Sequence, residues 1–375
     1  MDSHLRYARQ HQENIIALIR EFVECESPSD HPPGIRHFVD LLSDRVRDIA
    51  KVKKLAAGNL RVEFNLPGHK KEGQILALGH SDTVWTLGTL RTMPFLERKG
   101  RLWGPGVLDM KAGLAFFIFA MRSLREMDRP VARKVVMQVN SDEEVGSESS
   151  RALTEDAARS SNAVLVLEPG TGLEGKLKTA RKGVGDYTIT VRGRASHAGV
   201  DFSNGANAIV EMARQLERIA GFTQLDRGVT VSPGVIQGGT RSNVVPAECR
   251  AEVDIRAPRD RDRVYLERKF ASLKPFDKRC TVEFAGGLNR PPMERSAGVR
   301  RLYKTAEKLA AELGVTLQES STGGGSDGNF TAALGVPTLD GLGAVGEGAH
   351  ASNESILINR IADRTALLAK LVAAI

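Results

Sequence analysis

Acidic and imidazole side chains in this sequence stand directly behind short apolar runs. His80 and Asp82 follow Ile75 to Leu78 in Gly79-His80-Ser81-Asp82, Asp142, Glu143 and Glu144 follow Val135 to Val139, and Glu168 follows Ala163 to Leu167. Asp109 comes after a glycine-rich turn, Gly104-Pro105-Gly106, and His350 closes Gly346-Glu347-Gly348-Ala349-His350. Carboxylates crowded at one place repel one another and hold their protons more tightly unless a cation neutralises them. Two imidazoles and three carboxylates, with no thiolate, suit a catalytic zinc that keeps one position open for water. They are numerous enough for two metals that share a carboxylate. One further carboxylate is left over for proton transfer. Any one of these acids, taken alone, is more often a helix cap or a surface ion pair. Their joint placement carries the reading.

Several elements must bring them together. From Asn14 to about Arg47 apolar residues recur with helical spacing (Ile15, Leu18, Ile19, Phe22, Val23, then Phe38, Leu41, Leu42), and Pro28, Pro32 and Pro33 interrupt them, which predicts two helices around a loop. The runs Ile75 to Leu78, Val135 to Val139 and Ala163 to Leu167 have strand length, and Ala112 to Arg125 reads as a helix between the first two. Strands alternating with helices predict an α/β sheet, whose carboxyl edge is where ligands bind. Between Ala180 and Arg290 the rhythm changes. Strands over Val184 to Arg192, Val229 to Ile236, Ala247 to Ile255 and Thr281 to Ala285, with helices over Asn207 to Ile219 and Asp260 to Leu273, make the β-α-β-β-α-β order of a ferredoxin-like split βαβ unit. A helix over Val299 to Leu313, a strand near Thr316 to Glu319 and a helix over Asn359 to Ala373 return to the α/β pattern. The expected fold is an α/β domain around a mixed sheet, residues 1–179 and 292–375, with an α+β unit inserted over 180–291.

Composition narrows the partners. The 375 residues carry a net charge of +7, yet only 5% are aromatic, and the densest basic group, Arg256 to Arg263, alternates with Asp260 and Asp262 as on a solvated face. Nucleic acid is therefore not expected. The longest nearly uncharged run, Ala112 to Met121, is too short to cross a bilayer. Cys25, Cys249 and Cys280 are widely separated, which suggests neither a disulfide framework nor a thiolate metal site. Asp2, Arg6, Arg9 and Glu13 precede any apolar stretch, unlike a secretory signal, so the expected location is cytoplasmic.

Six segments in order, GHSDTV (79–84), GPGVLDMKAG (104–113), SDEEVGS (141–147), LEPG (167–170), ASHAG (195–199) and GEGAHASNE (346–354), resemble the zinc aminoacylase and glutamate carboxypeptidase (carboxypeptidase G-like) family of metallopeptidases over nearly the whole chain. The resemblance implies a catalytic domain with two zinc ions and an inserted lid domain through which the chain dimerises. Carried over by position, His80 and Glu168 would hold one zinc, Glu144 and His350 the other, and Asp109 would bridge both. Cobalt or manganese would accept the same donors. Asp82 would orient His80, Glu143 would be the general base, and the bond from Asp109 to Met110 would be cis. His197 would reach a neighbouring subunit's site and stabilise an oxyanion. Asn243, Arg256 and Arg290 resemble residues that contact substrate, and an arginine grips a carboxylate by two parallel hydrogen bonds. Lys176 resembles a lysine of glutamate-releasing relatives, and Gly323 to Gly328, with Gly324, resembles a glycine-rich pocket loop.

Two other motifs need weighing. Gly170-Thr171-Gly172-Leu173-Glu174-Gly175-Lys176-Leu177 satisfies G-x-G-x-x-G and nearly a P-loop, but Leu177 lacks a hydroxyl for magnesium and no helix pattern follows. Gly324-Gly325-Ser326-Asp327-Gly328 is formally a G-x-S-x-G with Asp340 and His350 downstream, which would make Ser326 a serine hydrolase nucleophile. It comes too late in the chain for that fold and leaves the acidic cluster unexplained. The expected activity is therefore metal-dependent hydrolysis of an amide bond in a small peptide or N-acyl amino acid, with release of a C-terminal, glutamate-like residue. General N-acyl amino acid deacylation is the alternative.

Overall fold

A computed structural model describes residues 2–69 and 71–375, which group into two compact units. The larger comprises the described residues up to Ala180 together with Arg295–Ser321 and Ser326–Ile375; the smaller comprises Arg181–Glu294 and Thr322–Gly325. The short segment Thr322–Gly325 thus groups with the smaller unit, whereas the sequence boundaries leave it in the larger.

The larger unit is built on a six-stranded mixed sheet in the order Ala50–Lys54, Leu60–Phe64, Lys134–Asn140, Gln74–His80, Ala163–Val166, Thr338–Leu339. The last four run parallel and the first two form an antiparallel hairpin at one edge. Every residue of Gln74–His80 is buried, as expected of a parallel strand covered on both faces. The helix Ala112–Glu126 is buried over nearly its whole length beneath Gln12–Glu24 and Ile361–Ala374. Its Gly113 admits no side chain, because a Cβ there would lie 2.2 Å from the Leu167 carbonyl oxygen. A second, four-stranded antiparallel sheet joins Gly346–Glu347, Ser355–Leu357, Arg101–Trp103 and Leu96–Arg98, so the chain around His350 is tied to the strand preceding the Asp109 turn.

The smaller unit has the order strand Gly183–Arg192, helix Ala208–Ala220, strands Thr230–Gly238 and Glu248–Ala257, helix Asp260–Ala271, strand Thr281–Arg290. Its sheet is wholly antiparallel, with Glu248–Ala257 and Gly183–Arg192 at the centre, the arrangement of a split βαβ unit. Asn207 caps the first helix, accepting from the N–H groups of Ile209 and Val210, and Tyr187 stacks on Phe270 at 3.8 Å between centroids in the unit's own core. The expected α/β fold with an inserted α+β unit is borne out.

The two helices expected around a loop are Gln12–Glu24 and Pro32–Val46, with Pro32 and Pro33 in the first turn of the second, where no intrahelical N–H is required. Two local expectations need correction. The helix Ser3–Gln10 was not anticipated; its signal is Asp2, whose carboxylate accepts from His4 and Leu5 N–H. The strand expected at Thr316 to Glu319 lies instead at Glu319–Thr322. Leu317 is buried as its hydrophobicity demands, but its carbonyl oxygen accepts from the Tyr303 hydroxyl instead of a ladder partner.

Candidate metal centre

The carboxyl ends of three parallel strands, with two turns, bring the acidic and imidazole candidates of the larger unit together. His80 ends Gln74–His80, Glu143 and Glu144 form a short turn after Lys134–Asn140, and Glu168 follows Ala163–Val166 by two residues. Asp109 comes from the turn before the buried helix, where Gly106 takes φ +74° and the Asp109–Met110 peptide bond is cis. His350 stands on a tight turn with φ +61°. The donor atoms of His80, Asp109 and Glu168 lie within 4.8 Å of one another, and so do those of Asp109, Glu144 and His350.

Asp109 belongs to both groups through different oxygens. Its Oδ1 is 3.2 Å from His80 Nε2 and its Oδ2 is 3.4 Å from His350 Nε2. Glu168 Oε1 lies 3.5 Å from His80 Nε2, and Glu144 Oε2 lies 3.3 Å from His350 Nε2. The tautomer of His80 follows from its other nitrogen. Nδ1 is 2.9 Å from the Asp82 carbonyl oxygen, which can only accept, so Nδ1 carries a proton and Nε2 is the nitrogen left for a ligand. The Asp82 carboxylate is farther from that ring, at 3.4 Å, and takes the Glu143 and Glu144 N–H groups and the Ser29 hydroxyl at 3.2, 3.1 and 2.8 Å. Asp82 therefore orients His80 chiefly through its main chain, and its side chain caps the turn that presents Glu143 and Glu144.

The electrostatics follow from this crowding. Burial opposes charge on His80, but hydrogen bonds to Asp109, Asp82 and Glu168 outweigh it and raise its pKa well above the usual 6.5. Hydrogen bonds to Asp109 and Glu144 lift His350 to about 10. Burial alone would raise Asp109, yet hydrogen bonds from His350 and His80 hold it well below the carboxylate range. Glu144 is pushed up, chiefly by burial. Cationic imidazoles thus do among these side chains what a metal cation would do with fixed geometry. The donors fit two divalent ions: each group offers one imidazole nitrogen and two carboxylates, Asp109 serves both, and Glu144 Oε1 is buried with no hydrogen-bond partner.

Family membership agrees with this geometry. Residues 76–374 match the model of peptidase family M20/M25/M40. The chain belongs to that family. It is a metal-dependent hydrolase of the peptidase and amidohydrolase kind. It is 28% identical over 380 residues to carboxypeptidase G2 of Pseudomonas sp. strain RS-16, covering 97% of this chain and 90% of that one. It is also 28% identical over 379 residues to a succinyl-diaminopimelate desuccinylase of Cereibacter sphaeroides, covering 92% and 94%. In fold it is similar to the aminopeptidase PepT of Bacillus cereus, with TM-score 0.81, 22% identity and 96% and 98% of the two chains covered. Among the described residues no helix of this M20/M25/M40 chain is long and apolar enough to cross a membrane.

The remaining candidates have local surroundings of their own. His197 is exposed in the smaller unit, and its Nδ1 accepts from the Gly199 and Val200 N–H groups at 3.1 and 3.2 Å, which leaves the neutral ring's proton on Nε2. Asn243 is exposed and its carbonyl oxygen accepts from Ala198 N–H. Arg256 is clamped by both oxygens of Asp254, at 2.9 and 2.7 Å, and Arg290 is buried with Nη1 on Asn289 Oδ1. Gly324 is exposed and a Cβ there would meet open space; the constrained glycine is Gly325, where a Cβ would lie 2.6 Å from Arg290 Cδ. Lys176, in the larger unit, closes the 171–176 turn through its main chain and leads into the strand Leu177–Arg181, so the G-x-G-x-x-G opens no helix.

Ser326 is not a poised nucleophile. It is wholly buried and its hydroxyl is 2.8 Å from Asp340 Oδ2, while His350 faces Asp109 and Glu144. The neighbouring Asp327, to which sequence reasoning assigned no task, has one. Its buried carboxylate accepts from Asn140 Nδ2 and the Ser147 hydroxyl, at 2.6 and 2.5 Å, on either side of the Glu143–Glu144 turn. The only signal for it in the sequence is an acid inside a glycine-rich run.

Proposed function

We propose that this M20/M25/M40 hydrolase uses two zinc ions, replaceable by cobalt or manganese, to cleave the amide bond of a small peptide or N-acyl amino acid and to release a C-terminal, glutamate-like residue. The observation that carries the reading is Asp109, whose two oxygens face two different imidazoles, each with its own second carboxylate. Bound there, the ions would polarise the scissile carbonyl and acidify the attacking water. Glu143, presented by the turn that Asp82 caps, takes a proton from that water as its oxygen joins the carbonyl carbon. It returns the proton to the amide nitrogen as the carbon–nitrogen bond breaks, leaving a carboxylic acid and a free amine, and the acid then gives its proton to the amine or to solvent.

Residues outside the two donor groups complete the reaction. His197, with its proton on Nε2, donates to the oxygen that gains charge, acting at the site of the neighbouring subunit in a homodimer. Exposed apolar residues there, Val200, Phe202, Val210 and Ile236, support a surface that a second copy covers. Asn243, Arg256 and Arg290 bind the substrate carboxylate, the Gly324 backbone borders the pocket, and Lys176 pairs with the acidic side chain of the released residue. A cytoplasmic location accords with three buried, unbridged cysteines. N-acyl amino acid deacylation is the second reading, favoured by the likeness to a desuccinylase.

The test combines metal analysis with hydrolysis of N-acyl-glutamate, N-acyl-alanine and a Glu-terminated dipeptide before and after chelation. The expected result is about two metals per chain and chelator-sensitive turnover that favours the glutamate compounds. Glu143→Gln should keep the metals and lose about 10²- to 10⁴-fold in kcat. Equal turnover of N-acyl-alanine selects the deacylase reading. Activity that survives in metal-free protein overturns both.

A further inference from the structure

Glu354 is a wholly buried carboxylate on the same loop as His350, four residues beyond it. Its Oε1 accepts from the N–H groups of Leu108 and Asp109 at 2.8 and 3.0 Å. Its Oε2 accepts from Gly106 N–H at 2.9 Å and from the Trp85 indole at 2.8 Å. Four donors on two oxygens fill the accepting capacity of an acceptor-only group, and three of the four belong to the turn that carries Asp109. Core packing of Val107, Leu108 and Met110 and the Lys111 N–H on the Gly106 carbonyl oxygen also hold that turn, but its backbone is irregular. Gly106 is in the left-handed region, Asp109 and Met110 depart from helical geometry, and regular helix begins only at Ala112. A ring of backbone N–H groups of this kind is an anion nest, here closed by a side chain from a distant part of the chain.

We infer that Glu354 is the positioning residue of the metal centre: it sets where Asp109 stands relative to His350, and thereby the spacing of the two ligand groups that share Asp109. The inference rests on the reading of Asp109 as a shared metal ligand. Glu354 touches neither metal nor substrate, and acts through the main chain of Asp109 and through the loop it shares with His350. A carboxamide cannot replace it, because its NH₂ would face two of the four N–H donors. Partners that orient a metal ligand are typically worth about 10- to 100-fold in metal affinity or activity.

The experiment is cobalt titration of wild type, Glu354→Gln and Trp85→Phe, read by competition with a chromophoric chelator and by the absorption of the cobalt-loaded proteins, with circular dichroism to confirm folding. Glu354→Gln is expected to bind cobalt about 10- to 100-fold more weakly, to change the cobalt spectrum, and to lose kcat by a similar factor while KM stays within about threefold. Trp85→Phe keeps the carboxylate and removes one donor, so it decides the matter if Glu354→Gln does not fold: a several-fold weaker cobalt affinity with an altered spectrum supports the inference, and a curve and spectrum identical to wild type overturn it. A folded Glu354→Gln with wild-type affinity and spectrum overturns it as well. Wild-type protein that takes up no cobalt overturns the metal reading and this inference together, whereas two equivalents in wild type with an unaltered Glu354→Gln overturn the inference alone.

Discussion

The two units treat their candidate residues in opposite ways. In the larger unit, five side chains from five separate segments meet with donor atoms a few ångströms apart, and buried acids hold the Glu143–Glu144 turn, Asp82 by its N–H groups and Asp327 by the flanking Asn140 and Ser147 side chains. In the smaller unit, the candidates are spread along strands and loops and engaged by their own neighbours: Arg256 by Asp254, Arg290 by Asn289, His197 by the two N–H groups that follow it. The contrast separates two kinds of task. A metal centre needs mutual geometry that a rigid sheet edge can enforce, and both candidate donor groups lie within one unit. The proposed substrate contacts would need only the right proton or charge on a surface, and the tautomer set at His197 by two N–H groups is of that kind.

Substitutions can break this division or sharpen it. The largest effect is expected for Asp109→Ala, which removes the oxygens both groups share: metal content should fall from about two to below one per chain, and kcat/KM should fall by more than about 10⁴-fold. Full metal content in that variant, measured on dialysed protein, would contradict a centre built around Asp109. A smaller loss, about 10²- to 10³-fold in kcat with metal content and KM nearly unchanged, is expected for His197→Ala. Metal loss in that variant would erase the contrast between the units, and wild-type kcat would remove His197 from the reaction.

The smallest effect is one of pH on chelator-treated protein. The pKa of His350 is raised to about 10, chiefly by its hydrogen bonds to Asp109 and Glu144, and that of His80 is raised as well. A group raised on folding stabilises fully below its ordinary value and loses that contribution as pH climbs through the folded value. The melting temperature of chelated protein should therefore drop between about pH 7 and 10, and metal-loaded protein, whose imidazoles are already deprotonated, should drop less. Metal affinity should rise over the same interval, since each bound imidazole must first give up its proton. A chelated protein that grows more stable across that range would show that these imidazoles are not held by carboxylates.

Much of the site is legible without coordinates because it is built from strand ends. Apolar runs of strand length announce the buried parallel strands, and the polar residue that follows each run must emerge at the sheet's carboxyl edge, so His80, Glu143, Glu144 and Glu168 could be placed there from local pattern alone. The β-α-β-β-α-β order of the smaller unit was equally readable, since alternation and helical spacing are properties of neighbouring residues. Local pattern misled where local and tertiary demands differ, as at Leu317, buried without joining a ladder.

What the sequence determined by itself is therefore the inventory: which residue types stand at the strand ends, what chemistry they permit, and the order of elements that carries them. Only the tertiary structure decided which oxygen of Asp109 faces which imidazole, that the Asp82 main chain and not its carboxylate makes the closer contact to His80, and that Glu354 closes a ring of donors around the Asp109 turn. The reason is physical. Hydrogen bonds that fix a site join groups as far as 269 residues apart, as between Trp85 and Glu354, and no periodicity along the chain records a partner that folding alone brings near.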